Sequence, residues 1–463
     1  MVIGLPREGL SPPWERDFAA YPPAGVIVFA RDFEDLPGLR RLTARLRELA
    51  RPRRIFVAID EEGGWVSQLA GHLVVPPNAR LLARGARPGD IARAARVTGE
   101  RLRALGVDWD FAPVADVDLE PLNPVIGPRS FGADPAAVAS AVGEAVRGFH
   151  DANLACCLKH FPGHGDTVLD SHLTLPRCDA AGDALERHLA PFRANLAADS
   201  VMTAHVVYGA LDPARPATFS PAIARDLLRG RLGFTGVAIT DALEMKGAAA
   251  GLAPAESARQ ALEAGCDLLL FAFHDEAVRR ARLELAKALT DGAIDRTSFD
   301  AARPRLAAFD AAHAEPTADE LGRPLESLTP EDWGRWLEGI VARGITVTGA
   351  LPIAARDRPW RVREPQFTHG QPFADSLRDA GVPVAAEGHP DAVHVEVIAS
   401  RVPVAEAEIE RLRALSRERP TILVGLQNDA FLAQLPEAAI RLSAGDCTPL
   451  TRGVVAQRLA RLR

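Results

Sequence analysis

Short apolar runs rich in β-branched residues recur over about the first 280 residues, with helical patterns or long loops between them. Near-continuous apolar strands of this kind are typical of parallel sheets that are covered on both faces. Eight of them predict an α/β fold of the (β/α)8 barrel type. The eight runs are MVIGL (1–5), GVIVFA (25–30), IFVAID (55–60), VDWDFAP (107–113), ACCLKHF (155–161), SVMTAHVV (200–207), GVAITD (236–241) and DLLLF (267–271).

The clearest helical pattern lies between the third and fourth runs, at GDIARAARVTGERLRALG (89–106). Its apolar residues recur at helical spacing, Asp90 is a candidate N-cap, and Gly106 is the expected stop. A helix between two apolar strands is what a barrel requires.

Polar residues gather near one end of the apolar runs. Because barrel enzymes collect their catalytic groups at the carboxyl ends of the strands, this pattern predicts a functional site there. The alternative is that each charge only marks the point where the chain emerges into water, and the repeated coincidence argues against it. The residues are Asp60, Asp110, Lys159 with His160, His205 and Asp241.

The character of the chain changes after the last apolar run and the helical pattern that follows it. The stretch HAEPTADELGRPLESLTPED is polar and contains prolines, as a linker would. Beyond it, DAVHVEVIA (391–399) and PTILVGLQ (420–427) predict strands, with a helix between them at 406–419. We therefore predict a barrel domain at 1–312, a linker at 313–332 and a smaller α/β domain at 333–463.

Composition narrows the range of partners. The chain has 463 residues, of which 47% are hydrophobic and 25% charged, as in an ordinary globular protein. Its net charge of −7 is spread along the chain without a basic tract, which argues against nucleic acid or an anionic membrane and favours a small ligand. The sequence shows neither a secretory signal nor a long apolar span, so a cytoplasmic location is expected. Five cysteines without C-x-x-C spacing argue against a disulfide framework or a structural zinc site.

The segment KHFPGHGDTVLDSH (159–172) holds three histidines and two aspartates within fourteen residues. Three chemistries could use them: a metal site, a polar loop braced by its own hydrogen bonds, or a proton-transferring pair. The proline and glycines of FPGHGDT exclude the regular helix that would align histidines for a metal. The possible ligands are His160, His164, Asp166, Asp170 and His172.

A proton-transferring pair is available at the end of this segment. Asp170 lies two residues before His172, so its carboxylate can accept the imidazole N–H and fix the tautomer. Such a pair needs a nucleophile, and Asp241 at the end of GVAITD can supply it for a double displacement at a sugar carbon. The alternative for Asp241 is to cap the helix that follows it.

Several motifs in this order resemble those of the bacterial β-N-acetylglucosaminidases of glycoside hydrolase family 3. The resemblance covers roughly residues 1–310 and implies a (β/α)8 catalytic barrel. It also implies that Asp241 is the nucleophile, His172 the acid/base and Asp170 its orienting partner. The motifs are DEEGG (60–64), NPVIGPRSFGADP (123–135), KHFPGHGDTVLDSH (159–172), PATFSP (216–221) and LGFTGVAITDALEM (232–245).

The same resemblance assigns the substrate-binding residues. It implies that Asp60, Arg129, Lys159 and His160 grip the hydroxyls of the terminal sugar. Charged and bidentate groups suit that task, because each strong bond to a hydroxyl also rejects a sugar that lacks it.

Two residues depart from the family pattern. Trp65 and Gln68 stand where arginines are expected after DEEGG, so the sugar-contacting arginine is missing. Gln68 is predicted to contact the substrate through a weaker bond than an arginine would give. Trp65 either stacks on a sugar face or simply packs against its neighbours.

We therefore expect a cytoplasmic, retaining exo-β-N-acetylglucosaminidase without metal or organic cofactor. Its substrate would be a small oligosaccharide or muropeptide, cut to release a non-reducing terminal N-acetylglucosamine from peptidoglycan fragments. Three alternatives stay open: a β-N-acetylglucosaminide phosphorylase, a β-glucosidase of the same family, and a sugar-binding homologue without catalysis. The oligomeric state is left open as well.

Overall fold

The computed structural model describes residues 1–167, 169–171, 174–245, 247, 251–294, 296–386 and 388–463. These residues form two compact units, each assembled from separate stretches of the chain. The first unit comprises Met1–Glu61, Ile91–Glu120 and Ala133–Thr329. The second comprises Glu62–Asp90, Pro121–Gly132 and Pro330–Arg463. The domain boundaries at 312 and 333 stay a prediction.

The first unit is built on a closed parallel barrel, with the strand order β1-β10-β9-β7-β5-β4-β3-β2 around the ring. Every apolar run predicted as a strand contributes one member of this ring, which confirms the predicted (β/α)8 barrel. The strands β6 and β8 form a separate small pair. The strands of this unit are β1 Val2–Ile3, β2 Gly25–Val28, β3 Phe56–Ile59, β4 Trp109–Asp110, β5 Ala155–Phe161, β6 Arg177–Cys178, β7 Ser200–Thr203, β8 Val207–Tyr208, β9 Val237–Ala242 and β10 Leu268–Phe271.

Helices cover the barrel strands, as the alternating pattern requires. A π-helix at Ala222–Arg231 stands in place of a regular helix between β8 and β9. The α-helices in chain order are α1 Pro12–Ala20, α2 Leu36–Ala50, α3 Ala79–Gly85, α4 Asp90–Ala104, α5 Pro135–Asp151, α6 Asp183–Ala194, α7 Pro254–Ala264, α8 Glu276–Thr290, α9 Thr297–Ala312, α10 Ala318–Gly322, α11 Trp333–Gly344, α12 Phe373–Asp379, α13 Glu406–Glu418 and α14 Pro449–Ala460.

The helix predicted at 89–106 is confirmed as α4, which begins at Asp90 itself. Asp90 is therefore the first helical residue rather than the cap before it, and its Oδ2 accepts from Arg87 N at 2.8 Å. Gly106 follows the helix with φ +84°, and a Cβ there would lie 2.2 Å from Thr43 Oγ1. Only glycine combines that dihedral with that close approach, which explains the stop.

Large side chains fill the interior of the barrel. Trp109 on β4 packs against Phe56 on β3, with ring centroids 6.2 Å apart. Phe309 on α9 lies 4.8 Å from Phe56 and 4.9 Å from Trp109, and all three rings are buried. The Trp109 indole N–H donates to Ser200 Oγ at 3.0 Å, so its polar edge is also satisfied. The barrel is thus a packed core, and function must lie at its ends.

The second unit contains a five-stranded sheet in the order β11-β15-β14-β13-β12. Its strands are parallel except for β11, which pairs antiparallel with β15. The strands predicted at 391–399 and 420–427 are confirmed as β13 and β14, and the helix between them is α13. The strands are β11 Thr346–Gly349, β12 Trp360–Arg363, β13 Val393–Ile398, β14 Thr421–Gly425 and β15 Ile440–Ser443.

The segment predicted as a linker, 313–332, has local structure of its own. It carries α10, whose N-cap Thr317 and third residue Glu320 form a reciprocal capping box. Arg103 on α4 binds the Glu320 carboxylate with two bonds of 2.9 Å. The beginning of this segment is therefore fixed to the first unit.

Among the residues that the structure describes, no helix is both long and apolar enough to cross a membrane.

Candidate active site

The carboxyl end of the barrel brings together the charged residues predicted from the strand ends. Lys159 and His160 lie on β5, and Asp60 follows β3. Lys159 Nζ lies 2.7 Å from Asp60 Oδ1, in a pair whose lysine side chain is 3% exposed and whose aspartate is 23% exposed. The buried ammonium is thus neutralised by a carboxylate that still meets solvent.

His160 is oriented by a residue that the sequence interpretation missed, Asp116. The His160 Nδ1 atom lies 2.7 Å from Asp116 Oδ2, and the His160 backbone N–H donates to the same carboxylate at 3.2 Å. Burial acts to raise the pKa of Asp116, but the imidazoles of His160 and His164 and these bonds outweigh it and lower that pKa. An ionised Asp116 accepts only, so Nδ1 of His160 carries the proton. The sequence signal that could have indicated Asp116 is its position in FAPVADVD (111–118), the segment that follows β4.

His164 braces the loop that follows β5. Its Nε2 lies 2.9 Å from Ser171 Oγ, and its Nδ1 lies 3.0 Å from Thr167 Oγ1. Its backbone N–H donates to Asp116 Oδ1 at 2.7 Å. The polar-loop interpretation therefore accounts for His164, whose ring nitrogens hold the loop together rather than face a reaction.

The predicted pair of Asp170 and His172 is only half described. Asp170 precedes Ser171, and its carbonyl accepts from Thr174 N at 2.9 Å. The Ser171 carbonyl accepts from Gly247 N at 3.0 Å, so the loop is tied to the segment after β9. His172 lies outside the described residues, and its role stays a prediction.

The glycines of the loop are required by close backbone approach. A Cβ on Gly165 would lie 1.7 Å from the Val117 carbonyl oxygen, a distance that no side chain tolerates. The Gly165 carbonyl accepts from Leu119 N and Glu120 N at 3.0 Å each. The loop therefore rests on the segment after β4, where Asp116 also lies.

A common metal cluster of His160, His164, Asp166 and Asp170 is not formed among the described residues. Asp166 lies instead 3.6 Å from His188 Nε2, and His160 and His164 take the partners given above. Two other groups of described residues have donor atoms close enough for one cation: His150 with Cys156 and Asp199, and Asp166 with Cys178 and His188.

Asp241 lies near the end of β9 and is half-buried. Its Oδ1 accepts from Ala242 N at 2.7 Å, which fixes the side chain against its own backbone. His205, another residue predicted at a strand end, lies 3.0 Å through Nε2 from the Ala242 carbonyl and 2.8 Å through Nδ1 from Thr218 Oγ1. His205 and Thr218, which belongs to the motif PATFSP, are both buried. Through the contact of His205 with the Ala242 carbonyl, they position the end of β9.

Glu244 is a second residue that the sequence interpretation did not single out. Its Oε1 accepts from Ala272 N at 2.6 Å and from Phe273 N at 3.1 Å, just after β10. Burial, with a further contribution from the charge of Asp241, raises the pKa of Glu244 to about 7. Near neutral pH, Asp241 therefore has a neighbouring carboxyl group that is partly protonated.

Asp110, also predicted from a strand end, is buried inside the barrel. Its Oδ1 accepts from Glu61 N at 2.9 Å, and burial raises the pKa of Asp110 well above its ordinary value. Asp110 thus holds the backbone of the residue that follows Asp60.

The remaining predicted residues belong to the second unit. Arg129 binds the Glu62 carboxylate through Nε and Nη2, each at 2.8 Å, and its Nη1 donates to the Val125 carbonyl at 3.1 Å. Both side chains of this ion pair are nearly buried. Glu62, the third residue of DEEGG, was not predicted to matter, although it fixes the arginine in a bidentate geometry.

The two departures from the family pattern also lie in the second unit. Trp65 is half-buried, its backbone N–H donates to Asn78 Oδ1 at 3.1 Å, and the Arg401 guanidinium lies 5.5 Å from its ring centroid. Gln68 is half-buried in the same segment. The contact with Arg401 gives Trp65 a partner from within its own unit.

The family model described as "Glycosyl hydrolase family 3 N terminal domain" matches residues 15–309. The chain belongs to glycosyl hydrolase family 3. The matched region contains every barrel strand except β1, so the N-terminal domain of this glycoside hydrolase family corresponds to the barrel of the first unit.

Several known proteins are similar to this glycoside hydrolase in sequence or in structure. A β-hexosaminidase of Alkalilimnicola ehrlichii is 42% identical over 290 residues, which cover 60% of this chain and 82% of the relative. A family 3 β-N-acetylglucosaminidase structure from Paenibacillus has a TM-score of 0.87 at 30% identity, covering 100% of this chain and 95% of that one. A β-glucoside phosphorylase has a TM-score of 0.81 at 18% identity, covering 100% and 91%, and shares the fold alone.

Proposed function

We propose that this glycoside hydrolase is a retaining exo-β-N-acetylglucosaminidase. The observation that carries the proposal is a half-exposed carboxylate, Asp241, near the carboxyl end of β9, at the barrel end that also holds the Lys159–Asp60 pair. The names of the relatives support the sugar specificity, because one is a β-hexosaminidase and another a β-N-acetylglucosaminidase. Carboxyl ends of barrel strands are where such chemistry takes place.

The proposed reaction has two steps. Asp241 attacks the anomeric carbon, the glycosidic bond breaks with its electron pair moving to the leaving oxygen, and His172 as imidazolium gives that oxygen a proton. In the second step His172 takes a proton from water, the water oxygen bonds to the anomeric carbon, and the ester to Asp241 breaks. Asp170 would orient His172 in both steps.

Substrate recognition is proposed for the buried polar pairs at the same end. Lys159, Asp60 and His160 would bind the hydroxyls of the terminal sugar. Asp116 contributes indirectly, because it holds Nδ1 of His160 and so fixes the role of the other ring nitrogen. A sugar lacking a matching hydroxyl would leave these groups unsatisfied, and rejection of such sugars should be strong.

Arg129 and Gln68 complete the proposed set of binding residues on sequence grounds. Their roles are supported by the position of Arg129 in its motif and by the rigidity that Glu62 gives it. We also propose the division into a barrel domain at 1–312, a linker at 313–332 and a smaller domain at 333–463.

The natural substrate is proposed to be a peptidoglycan fragment with a non-reducing terminal N-acetylglucosamine, hydrolysed in the cytoplasm. The absence of a basic tract in the sequence supports a small, soluble substrate over a polyanion. No step of the proposed reaction uses a metal or an organic cofactor.

The test is a panel of 4-nitrophenyl β-glycosides of N-acetylglucosamine, N-acetylgalactosamine and glucose, each with and without phosphate and chelator. We expect turnover of the N-acetylglucosaminide with a kcat/KM at least about tenfold above the others, unchanged by chelation. A phosphate-dependent sugar 1-phosphate would make the enzyme a phosphorylase. Turnover of the glucoside alone would make it a glucosidase, and binding without turnover of any glycoside would overturn the enzymatic proposal.

A further inference from the structure

The amino end of the barrel repeats one local arrangement. An aspartate stands immediately before a strand and accepts a hydrogen bond from a backbone N–H of the neighbouring strand, which ties the two strands together at their start. The arrangement occurs at Asp108 with Val57 N at 2.7 Å, at Asp199 with Cys156 N at 2.9 Å, and at Asp267 with Ala238 N at 2.8 Å.

Two of these aspartates are neutralised by arginine. Arg47 Nη2 donates to Asp108 Oδ2 at 2.8 Å. Arg229 and Arg305 each donate to Asp267 at 2.6 Å. A guanidinium suits a buried structural carboxylate, because it stays charged and offers several donors.

Asp199 differs, since imidazoles and a thiol surround it instead. His150 Nε2 lies 3.0 Å from Asp199 Oδ2, and His313 Nε2 lies 3.0 Å from Asp199 Oδ1. Cys156 Sγ lies 3.8 Å from the same His150 nitrogen. Nitrogen, thiolate sulfur and carboxylate oxygen are the donor atoms that zinc accepts in proteins.

We propose that His150, Cys156 and Asp199 form a binding site for a zinc-type divalent cation at the amino end of the barrel, with His313 orienting Asp199. The donor atoms of the three ligands all lie within 4.8 Å of one another. In a tetrahedral zinc site, bonds of about 2.0 Å to nitrogen and oxygen and about 2.3 Å to sulfur place the donors about 3.3 to 3.6 Å apart. The separations of 3.0 and 3.8 Å are close to that spacing.

The second carboxylate oxygen of Asp199 contacts a residue that fixes the orientation of this ligand. His313 Nε2 contacts Asp199 Oδ1, while Oδ2 faces His150, so one carboxylate links a ligand nitrogen to a supporting imidazole. Metal ligands in proteins are commonly held in this way by a second residue that fixes their orientation. The His313 side chain is 11% exposed and packs on Phe309 with ring centroids 4.8 Å apart, which limits its movement.

Access to the site is provided by an adjacent cavity of 600 Å³, lined in part by His150, Asp199 and His313. Cys156 itself is fully buried. A cation can therefore enter from solvent and keep a water molecule as its fourth ligand, as zinc sites with three protein ligands do.

The ligands come from separate elements of the first unit. His150 lies in the last turn of α5, Cys156 lies on β5, Asp199 precedes β7, and His313 follows α9. A cation there would connect these elements at the end of the barrel where residues serve stability rather than catalysis. Sequence spacing could not show the site, because its donors are brought together only by the closure of the barrel.

Cation binding must displace protons. A cysteine binds a metal as thiolate, so the Cys156 thiol must give up its proton. Coordination as thiolate releases that proton, and the hydrogen bond between His150 and Asp199 gives way to two bonds to the metal.

The test is a cobalt(II) titration of the full chain after treatment with a chelator, followed by absorption spectroscopy. We expect a near-ultraviolet thiolate-to-cobalt band with one equivalent bound, and a higher Tm when zinc is added. Cys156→Ser should abolish the band. Cys178→Ser is the matched control, because it removes the thiol of the other cluster and should leave the band intact.

Two further variants keep the proposal open to refutation if Cys156→Ser fails to fold. The His150 side chain is 37% exposed, so His150→Gln should keep the fold and weaken cobalt binding at least about a hundredfold. His313→Leu should weaken it about tenfold, through lost orientation of Asp199. No thiolate band in the unmodified chain would overturn the proposal, as would a band that survives Cys156→Ser or His150→Gln.

Discussion

The two ends of the barrel use the same kinds of charged residue in different ways. At the amino end, the side chains of Asp108 and Asp267 are 0% exposed, and each is matched by arginine and by a backbone N–H of the next strand. At the carboxyl end, Asp60 is 23% exposed and Asp241 is half-buried. These two aspartates of the amino end are used in internal pairing, whereas Asp60 and Asp241 at the carboxyl end remain in contact with solvent.

This difference shows what a charge at a strand end indicates. A carboxylate whose oxygens are taken up by a guanidinium and by backbone N–H groups has no capacity left for a substrate. A carboxylate that is held at one side and exposed at the other can react or bind. Exposure and hydrogen-bond partners therefore distinguish Asp60 and Asp241 from Asp108 and Asp267, while residue type does not.

The largest effect is expected at the carboxyl end. Asp241→Asn should lower kcat at least about a thousandfold, because the proposed nucleophile is removed. Its Tm should stay within about 2 °C, since the asparagine oxygen can still accept from Ala242 N. Steady-state kinetics and thermal unfolding measure the two quantities. A large loss of Tm with retained kcat would place Asp241 with the structural aspartates instead.

The opposite outcome is expected at the amino end. Asp267→Asn should lower the free energy of unfolding by about 3 to 5 kcal/mol, because Arg229 and Arg305 lose their buried counter-charge. Activity per folded molecule should be unchanged. Asp226→Asn is the control, since this exposed residue of the π-helix forms a surface ion pair with Arg225 and should change stability by less than about 0.5 kcal/mol. Urea denaturation measures both variants, and equal losses would contradict the comparison.

A smaller effect on catalysis is expected from Asp116→Asn. The carboxylate accepts from His160 N, from His160 Nδ1 and from His164 N, whereas an asparagine offers a single acceptor oxygen. His160 should lose its fixed orientation, and kcat/KM should fall by about tenfold to a hundredfold. The same variant should narrow the preference for N-acetylglucosaminides over sugars lacking a matching hydroxyl. Unchanged selectivity would assign Asp116 a purely structural role.

The smallest effect concerns the pH dependence of stability. Because the pKa of Glu244 is raised to about 7, the folded protein keeps a proton that the unfolded chain has lost between about pH 4.5 and pH 7. The free energy of unfolding should therefore fall as pH rises through that window, by at most about 3 kcal/mol, and level off above it. Glu244→Gln should lack this contribution. Urea denaturation of both proteins at pH 5 and pH 8 measures the difference, and identical pH dependence would contradict it.

The barrel was predictable because its signal is local. Each strand is a short apolar run, and the parallel topology follows from eight such runs with helices between them. Strand ends also indicated Lys159, His160 and Asp60, which the structure places at one end. Helix α4 was predicted to within a residue or two of its observed bounds, since its apolar spacing and Gly106 both lie within one segment.

The hydrogen-bond partners of these side chains were not predictable, because barrel closure brings together residues that are distant in sequence. Asp116 seemed an ordinary loop residue, yet it binds the backbone N–H and the imidazole of His160 on β5 and the backbone N–H of His164 after that strand. Asp110 and His205, predicted from strand ends, contact backbone groups that their positions in the sequence did not indicate. Sequence pattern shows where a side chain leaves a strand, but not which donors or acceptors meet it there.

The central claim is that Asp241 forms a covalent bond to the sugar, and one measurement tests it most directly. A slow 2-deoxy-2-fluoro glycoside with an activated leaving group should trap the glycosyl-enzyme, and mass spectrometry of the digested protein should find the label on the peptide containing Asp241. The label should be absent from Asp241→Asn. A label on a peptide without Asp241, or rapid turnover with no trapped species and an inverted product, would contradict the account.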